Sequence, residues 1–145
     1  MILRQLGVID FVRKSTKILE WTERVAVASA GEFDSDMLFG AVSTGSHYLY
    51  FYCGDDGVER GVIYTTILDT LKGKTLSAVG AAGDGAVYED WLHLTELLND
   101  LAKTLGCVDF EIRGRRGFMR AFKPHGWTEK YTVIGRDCYD VEEED

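Results

Sequence analysis

The 145-residue sequence predicts a single α/β domain, on three observations. Apolar residues keep a helical spacing up to about residue 43, alternate from residue 47, and after residue 82 switch between the two periods. The four-residue turn Gly54-Asp55-Asp56-Gly57 is too short for anything but an antiparallel hairpin. A strand, a glycine-rich turn, a helix and another strand then follow one another without a linker.

Residues 10–30 carry the first strong pattern. Phe11, Ile18 and Val25 recur every seven residues with Val12, Leu19 and Ala26 beside them, which predicts an amphipathic helix. Acid-before-base pairs at i,i+4, Asp10 with Lys14 and Glu20 with Arg24, support its outer side, and Gly31 suits its end. Asp34 or Ser35 can cap a shorter helix over 36–43, closed by Gly45. From His47 the period is two, with Tyr48, Tyr50 and Tyr52 on one face of a strand and Leu49, Phe51 and Cys53 on the other. The tyrosine row reads either as a pocket or partner surface or as a strand face packed under a helix.

Residues 58–68 form the partner strand and 75–82 a third. Val87, Trp91, Leu94, Leu98, Leu101 and Leu105 alternate spacings of four and three, a helix that Gly106 ends. Val108, Phe110 and Ile112 alternate as a strand, which leaves Glu111 on its opposite face. A short helix over 116–123, stopped by Pro124, and a last strand over 129–136 complete a domain spanning 1–139. Residues 140–145, five acids in six, read as a solvated, disordered tail.

Composition narrows the function classes. With 46% apolar and 28% charged residues, one Pro and no run of 18 apolar residues, the chain is neither disordered, fibrous nor membrane-spanning. The N-terminus lacks the layout of a signal peptide, so a cytoplasmic location is expected. Cys53, Cys107 and Cys138 are odd in number and without metal-ligand spacing, which points to reduced thiols and no metal. The formal charge is −8, yet residues 113–130 hold six cations against Glu129 alone. An acidic body disfavours tracking a nucleic-acid backbone, while the basic stretch can hold one small anion or serve as a solvated helix face.

The turn after the third strand is where chemistry is expected. Unpaired N–H groups at a helix start converge where the helix dipole is positive, so Gly83 and Gly85 frame either an anion cradle or a plain turn. Asp84, Glu89 and Asp90 place three carboxylates at the same spot, each opposing a phosphate by on the order of 1 kcal/mol. Candidate general bases are Glu59, Asp69 and Glu111. His47 and His93 have no evident partner, and His93 lies off the leucine stripe of its helix.

The unit over 75–113, together with Gly114-Arg115-Arg116-Gly117-Phe118 and the Gly126-Trp127 turn, resembles the cofactor segment, fourth helix and Gly-aromatic turn of the GNAT superfamily of N-acetyltransferases. The Gly-Arg-Arg-Gly-aromatic opening is similar to that of small GNAT-like proteins of bacteriophages. The resemblance implies the acyl-CoA N-acyltransferase fold, a mixed, mostly antiparallel twisted sheet flanked by helices. It also implies acetyl-CoA held by Val79, Gly80, Ala81, Gly83, Gly85 and Ala86, with Arg116 at a phosphate, and a primary amine as acceptor. Gly80 stands where the family has Arg or Gln, and Phe122 stands at the usual general-acid Tyr, where a phenyl ring has no proton to donate. Glu111 and Tyr131 are the candidate catalytic residues. A rival expectation is a catalytically silent protein of this type, a virion or assembly component or a module that binds a host protein. A third, an acidic mimic competing for DNA-binding proteins, rests on the acidity outside the basic stretch.

Overall fold

A computed structural model describes residues 2–5, 16–29, 31–84, 88–113, 122–131 and 134–138. The chain divides into two units, Met1–Arg115 and Arg116–Asp145. The first holds a five-stranded sheet in the order β1 (Ile2–Gln5), β2 (Tyr48–Cys53), β3 (Glu59–Thr70), β4 (Gly73–Gly83) and β5 (Asp109–Ile112). Its helices are α1 (Thr16–Ala28), α2 (Ser35–Ser43) and α3 (Tyr88–Thr104). Every neighbouring pair is antiparallel, β2–β3 and β3–β4 through short turns and β1–β2 across the two helices between them, except β4 and β5, which α3 connects as a parallel crossover. The sheet is therefore mixed and mostly antiparallel, with helices on both faces.

The two apolar faces of β2 explain those two helical layers. Leu49, Phe51 and Cys53 join Val62 and Tyr64 of β3 beneath α1 and α2, in a core completed by Ile18, Trp21, Val25, Leu38 and Phe39. Tyr52, Ile63, Leu76 and Ala78 pack on the other face against Leu94, Leu98 and Ala102 of α3. The tyrosine row is thus a packed strand face: Tyr50 and Tyr52 are buried, and burial pushes the Tyr50 phenol above its ordinary value. On β3, the Tyr64 hydroxyl meets Thr22 Oγ1 at 2.7 Å, and burial pushes Tyr64 to about 12.

Several boundaries differ from the sequence reading, each for a physical reason. Asp34 caps α2 by accepting from the Met37 N–H at 2.8 Å, as one of the two expected caps. In α1 the buried line is Ile18, Trp21, Thr22, Val25 and Ala26, and Leu19 is 44% exposed. A 3.6-residue period drifts away from a strict heptad, which turns the Leu19 track outward and brings Trp21 in. Arg24 does not pair with Glu20 but reaches the end of β4, and Glu20 lies 3.9 Å from Lys17.

The N-terminal strand β1 was not anticipated, because its four residues are too few for a readable period. It lies on the sheet edge, where Arg4 pairs with Glu59 and its guanidinium sits 5.2 Å over the Phe51 ring. Of the strand expected over 129–136, the described residues 129–131 and 134–136 have no regular structure. Tyr131 is 51% and Ile134 91% exposed, so neither supplies a covered position. Phe122 is helical, and what precedes it over 114–121 lies outside the described residues, so the helix expected to stop at Pro124 is described only at its last residue. Pro124 lies in the 3-10 turn Lys123–His125, at a first-turn position where its missing N–H costs nothing, and Gly126 closes the turn at φ 88°. The bulk of the 116–123 helix and the acidic tail lie outside the described residues.

Candidate functional site

The site is built on the unequal pairing of β4. On one side β3 accompanies it from Gly73 to Gly83, the whole length of the strand. On the other, β5 pairs only with Thr75, Leu76, Ser77 and Ala78, and the Arg113 N–H donates to Ala78 O at 3.0 Å as the last bond. Beyond Ala78, residues 79–83 have no β5 partner among the described residues. β5 ends at Ile112, and residues 114–121 lie outside the described ones.

A bulge sits where this pairing ends. Tyr64 pairs with Gly80 and Thr65 with Ala78, which leaves Val79 as the extra residue of β4. An extra residue adds twist and turns the following side chains to new faces. Val79 packs on the α1 side, and a Cβ added to Gly80 would meet Val25 Cγ1 at 2.4 Å on that side too, while Ala81 joins the α3 side. The bare backbone at Gly80 is what lets α1 approach the sheet. At the strand end, a Cβ on Gly83 would lie 1.9 Å from the Tyr52 hydroxyl and 2.5 Å from Arg60 O.

Asp84, the residue after β4, is fastened to α1. Its N–H donates to Arg60 O at 2.9 Å. Its carboxylate accepts from Lys17 Nζ at 2.5 Å and from the Trp21 indole N–H at 3.1 Å, with Arg24 Nη1 at 3.7 Å. Arg24 also donates to Gly83 O at 3.0 Å. Positions 17, 21 and 24 share one helical face, so two donors and a third, nearby cation converge on one carboxylate. The Lys17 hydrogen bond, then that of Trp21, hold the Asp84 carboxyl below its ordinary range, and the same bond raises Lys17. The expectation that Asp84 simply opposes an anion is corrected: its charge is compensated by α1.

The candidate residues fall as follows. Val79, Gly80, Ala81 and Gly83 all lie in the free half of β4; Gly85, Ala86 and Arg116 lie outside the described residues. Of the candidate bases, Glu59 pairs with Arg4 and Asp69 is exposed near the far end of β3, whereas Glu111 is 7% exposed and adjoins the end of the β4–β5 pairing. In the second unit, Tyr131 is exposed, and the Phe122 ring lies 5.0 Å from that of Trp127. His93 is exposed on α3, and His47 Nδ1 contacts Ser46 Oγ at 3.0 Å. The three cysteines are free thiols, and the described residues contain no group of three metal-ligating side chains.

Two hydroxyl–carboxylate register pairs cross the β4–β5 ladder, and of their four side chains only Glu111 drew notice in the sequence. Leu76, Ala78, Phe110 and Ile112 pack toward α3, so Thr75, Ser77, Asp109 and Glu111 face the opposite way. Thr75 is the register partner of Asp109 and donates to its Oδ1 at 2.5 Å. Ser77 is the register partner of Glu111, yet its fully buried Oγ has no hydrogen-bond partner among the described residues. Glu111 Oε1 lies 3.8 Å from Arg113 Nε. The period-two spelling Thr75-x-Ser77 against Asp109-x-Glu111 is the signal from which the rungs could have been found.

No protein-family model matches the chain, and no curated protein matches it by sequence. Solved structures do. A possible acetyltransferase from Clostridium difficile 630 is similar at TM-score 0.67 and 13% identity, over 95% of this chain and 97% of its own. A ribosomal-protein-alanine N-acetyltransferase from Brucella melitensis biovar Abortus 2308 is similar at TM-score 0.67 and 11% identity, over 95% and 100%. Glucosamine-6-phosphate N-acetyltransferase from Arabidopsis thaliana is similar at TM-score 0.62 and 17% identity, over 93% and 96%. With its parallel β4–β5 pair, bulged fourth strand and mixed sheet between helices, the chain has the GNAT-type acetyltransferase fold.

Proposed function

We propose that the protein is an acetyl-CoA-dependent N-acetyltransferase acting on a primary amine. One observation carries the reading: β4 runs past β5 from the Val79 bulge to Gly83, leaving main-chain groups on an edge that no described strand covers. Val79, Gly80, Ala81, Ala82 and Gly83 are all small, so an extended chain with amide groups can lie against this edge as a strand would. The residues therefore fit a pantetheine arm. Gly85 and Ala86 would offer backbone amides to its pyrophosphate, and Arg116 a guanidinium to a further phosphate. When bound, acetyl-CoA supplies an acyl group already activated as a thioester.

The chain's own part is to bind, orient and neutralise. The clasp of Lys17, Trp21 and Arg24 on Asp84 fixes where the turn after β4 begins, and holding reactants in register is a large share of acyl-transfer catalysis. Glu111 is the carboxylate suited to take the amine's proton. The acceptor is not set by the fold, since the printed names of two similar structures concern a sugar amine and a protein alanine. Three free cysteines suit a reducing cytoplasm.

A second reading, a protein-binding module of the same fold such as a phage assembly component, is favoured by Phe122, which forms a ring pair with Trp127 where the resemblance calls for an acid. Calorimetric titration separates the two. Saturable binding of acetyl-CoA with a Kd below about 1 mM, with thiol release on adding amines, is expected of the transferase. No binding at millimolar acetyl-CoA overturns it in favour of the module.

A further inference from the structure

We infer that Lys17, Trp21 and Arg24 make a phosphoryl-binding cradle on α1, and that the carboxylate of Asp84 is its resident occupant, which an incoming phosphate or diphosphate group displaces from the two cations. Under the transferase reading the group is carried by coenzyme A, and that identity rests on the reading. The cradle itself stands on its own donors.

The first ground is the donor set. Trp21 is 1% exposed and its ring meets that of Phe51 edge-on, so the core fixes the direction of its indole N–H. That N–H reaches Asp84 Oδ1 at 3.1 Å, while Lys17 donates to Oδ2 at 2.5 Å. One fixed donor and two long cations around a single oxyanion suit a phosphate as well as a carboxylate, since a phosphate offers more acceptor oxygens and more charge. The second ground is surplus. Arg24 stands 3.7 Å from the carboxylate, outside hydrogen-bond distance, and donates from Nη1 to Gly83 O, so Asp84 leaves the rest of its guanidinium unused. Glu20, 3.9 Å from Lys17, is the other acid on this face.

The third ground is access. The side chains of Lys17, Arg24 and Asp84 are 55%, 52% and 47% exposed, so a ligand reaches them from solvent and no enclosed cavity is needed. Exposed pairs of this kind add little to stability, so exchanging the carboxylate for a more highly charged group costs little. The cradle also begins one residue beyond Gly83, where the β4 edge proposed for the pantetheine arm ends. Its donors are side chains of α1, not the main-chain amides expected of Gly85 and Ala86. Asp84 therefore sets the affinity: it orders the donors when the cradle holds no ligand and competes when one arrives.

The test uses the full chain and inorganic pyrophosphate at constant ionic strength. The ¹⁵N-labelled indole N–H of Trp21, assigned by its loss in Trp21→Phe, reports on the group it donates to. A protein of net charge −8 has no general attraction for anions, so saturation requires a built site. Binding is expected to be about tenfold tighter in Asp84→Asn than in wild type, because the competitor loses its charge while the indole keeps an acceptor. It is expected to be about tenfold weaker in Lys17→Gln and in Arg24→Gln, and within about threefold of wild type in Lys17→Arg, which separates loss of charge from loss of fold. Affinity no higher in Asp84→Asn, affinity undiminished in Lys17→Gln or Arg24→Gln, or a Trp21 signal that responds in neither wild type nor Asp84→Asn overturns the inference. Coenzyme A is expected to reproduce the pyrophosphate shift and pantetheine, which has no phosphate, to give none; equal shifts from both overturn the inference as well. Pyrophosphate binding without coenzyme A binding refutes the transferase reading and leaves the cradle standing.

Discussion

The two halves of β4 follow opposite rules. From Thr75 to Ala78 the strand is held on both sides, and Thr75 is bonded to Asp109 at 2.5 Å while the buried Ser77 hydroxyl has no partner among the described residues. From Val79 to Gly83 it is paired among the described residues with β3 alone, bulged at its start and built of small residues. The paired half behaves as core and the free half as a surface shaped from within, with Ser77 at the boundary. The two halves meet within a single eleven-residue strand.

The strongest way to break that contrast is to give the free half a side chain at its end. Gly83→Val is expected to cost on the order of 3 kcal/mol, because its Cβ meets both the Tyr52 hydroxyl and the Arg60 backbone; denaturant unfolding measures it, and a loss under 0.5 kcal/mol would show the end of β4 to be more pliant than described. Next in size, the rungs are predicted to answer with opposite signs. Thr75→Val removes a buried donor from a carboxylate and is expected to destabilise by about 2 kcal/mol. Ser77→Ala removes an orphan and is expected to be neutral or to stabilise by about 1 kcal/mol. Equal losses at both rungs would erase the distinction.

The smallest effect concerns the clasp. Asp84 titrates below its ordinary 3.8 when folded, so its contribution is complete above that value and disappears as pH falls through the depressed one. Lys17 titrates above 10.5, so its matching contribution persists below that value and disappears as pH rises past it. Asp84→Asn is therefore expected to leave the melting temperature at pH 2 close to wild type while lowering it slightly near pH 7. The pair is exposed, which keeps the difference small. A variant whose deficit is the same at both pH values would count against the clasp.

Much of the fold was legible because it is written in periods. The alternation in β2, the leucine stripe of α3 and the Asp34 cap depend on neighbours in sequence, and each was found where expected. β1 and the described part of 129–136 differ from the reading for the converse reason: a four-residue strand exists only through its partner, and exposed apolar residues such as Tyr131 and Ile134 do not make a strand without a covered face. Of the glycine turn read as the site, the structure describes Gly83 and Asp84, and the rest lies outside the described residues. The bulge at Val79, the clasp on Asp84 and the rung at Ser77 join residues 34 to 67 positions apart or depend on strand register, and no local pattern announces them.

The close seating of α1 on bare backbone ties the fate of two positions together. Val25 occupies the space that any side chain at position 80 would need, so neither can grow alone. A lineage that acquires a long polar residue at 80 must first hollow out position 25, and the order of those two replacements is fixed by steric exclusion rather than by selection for the reaction.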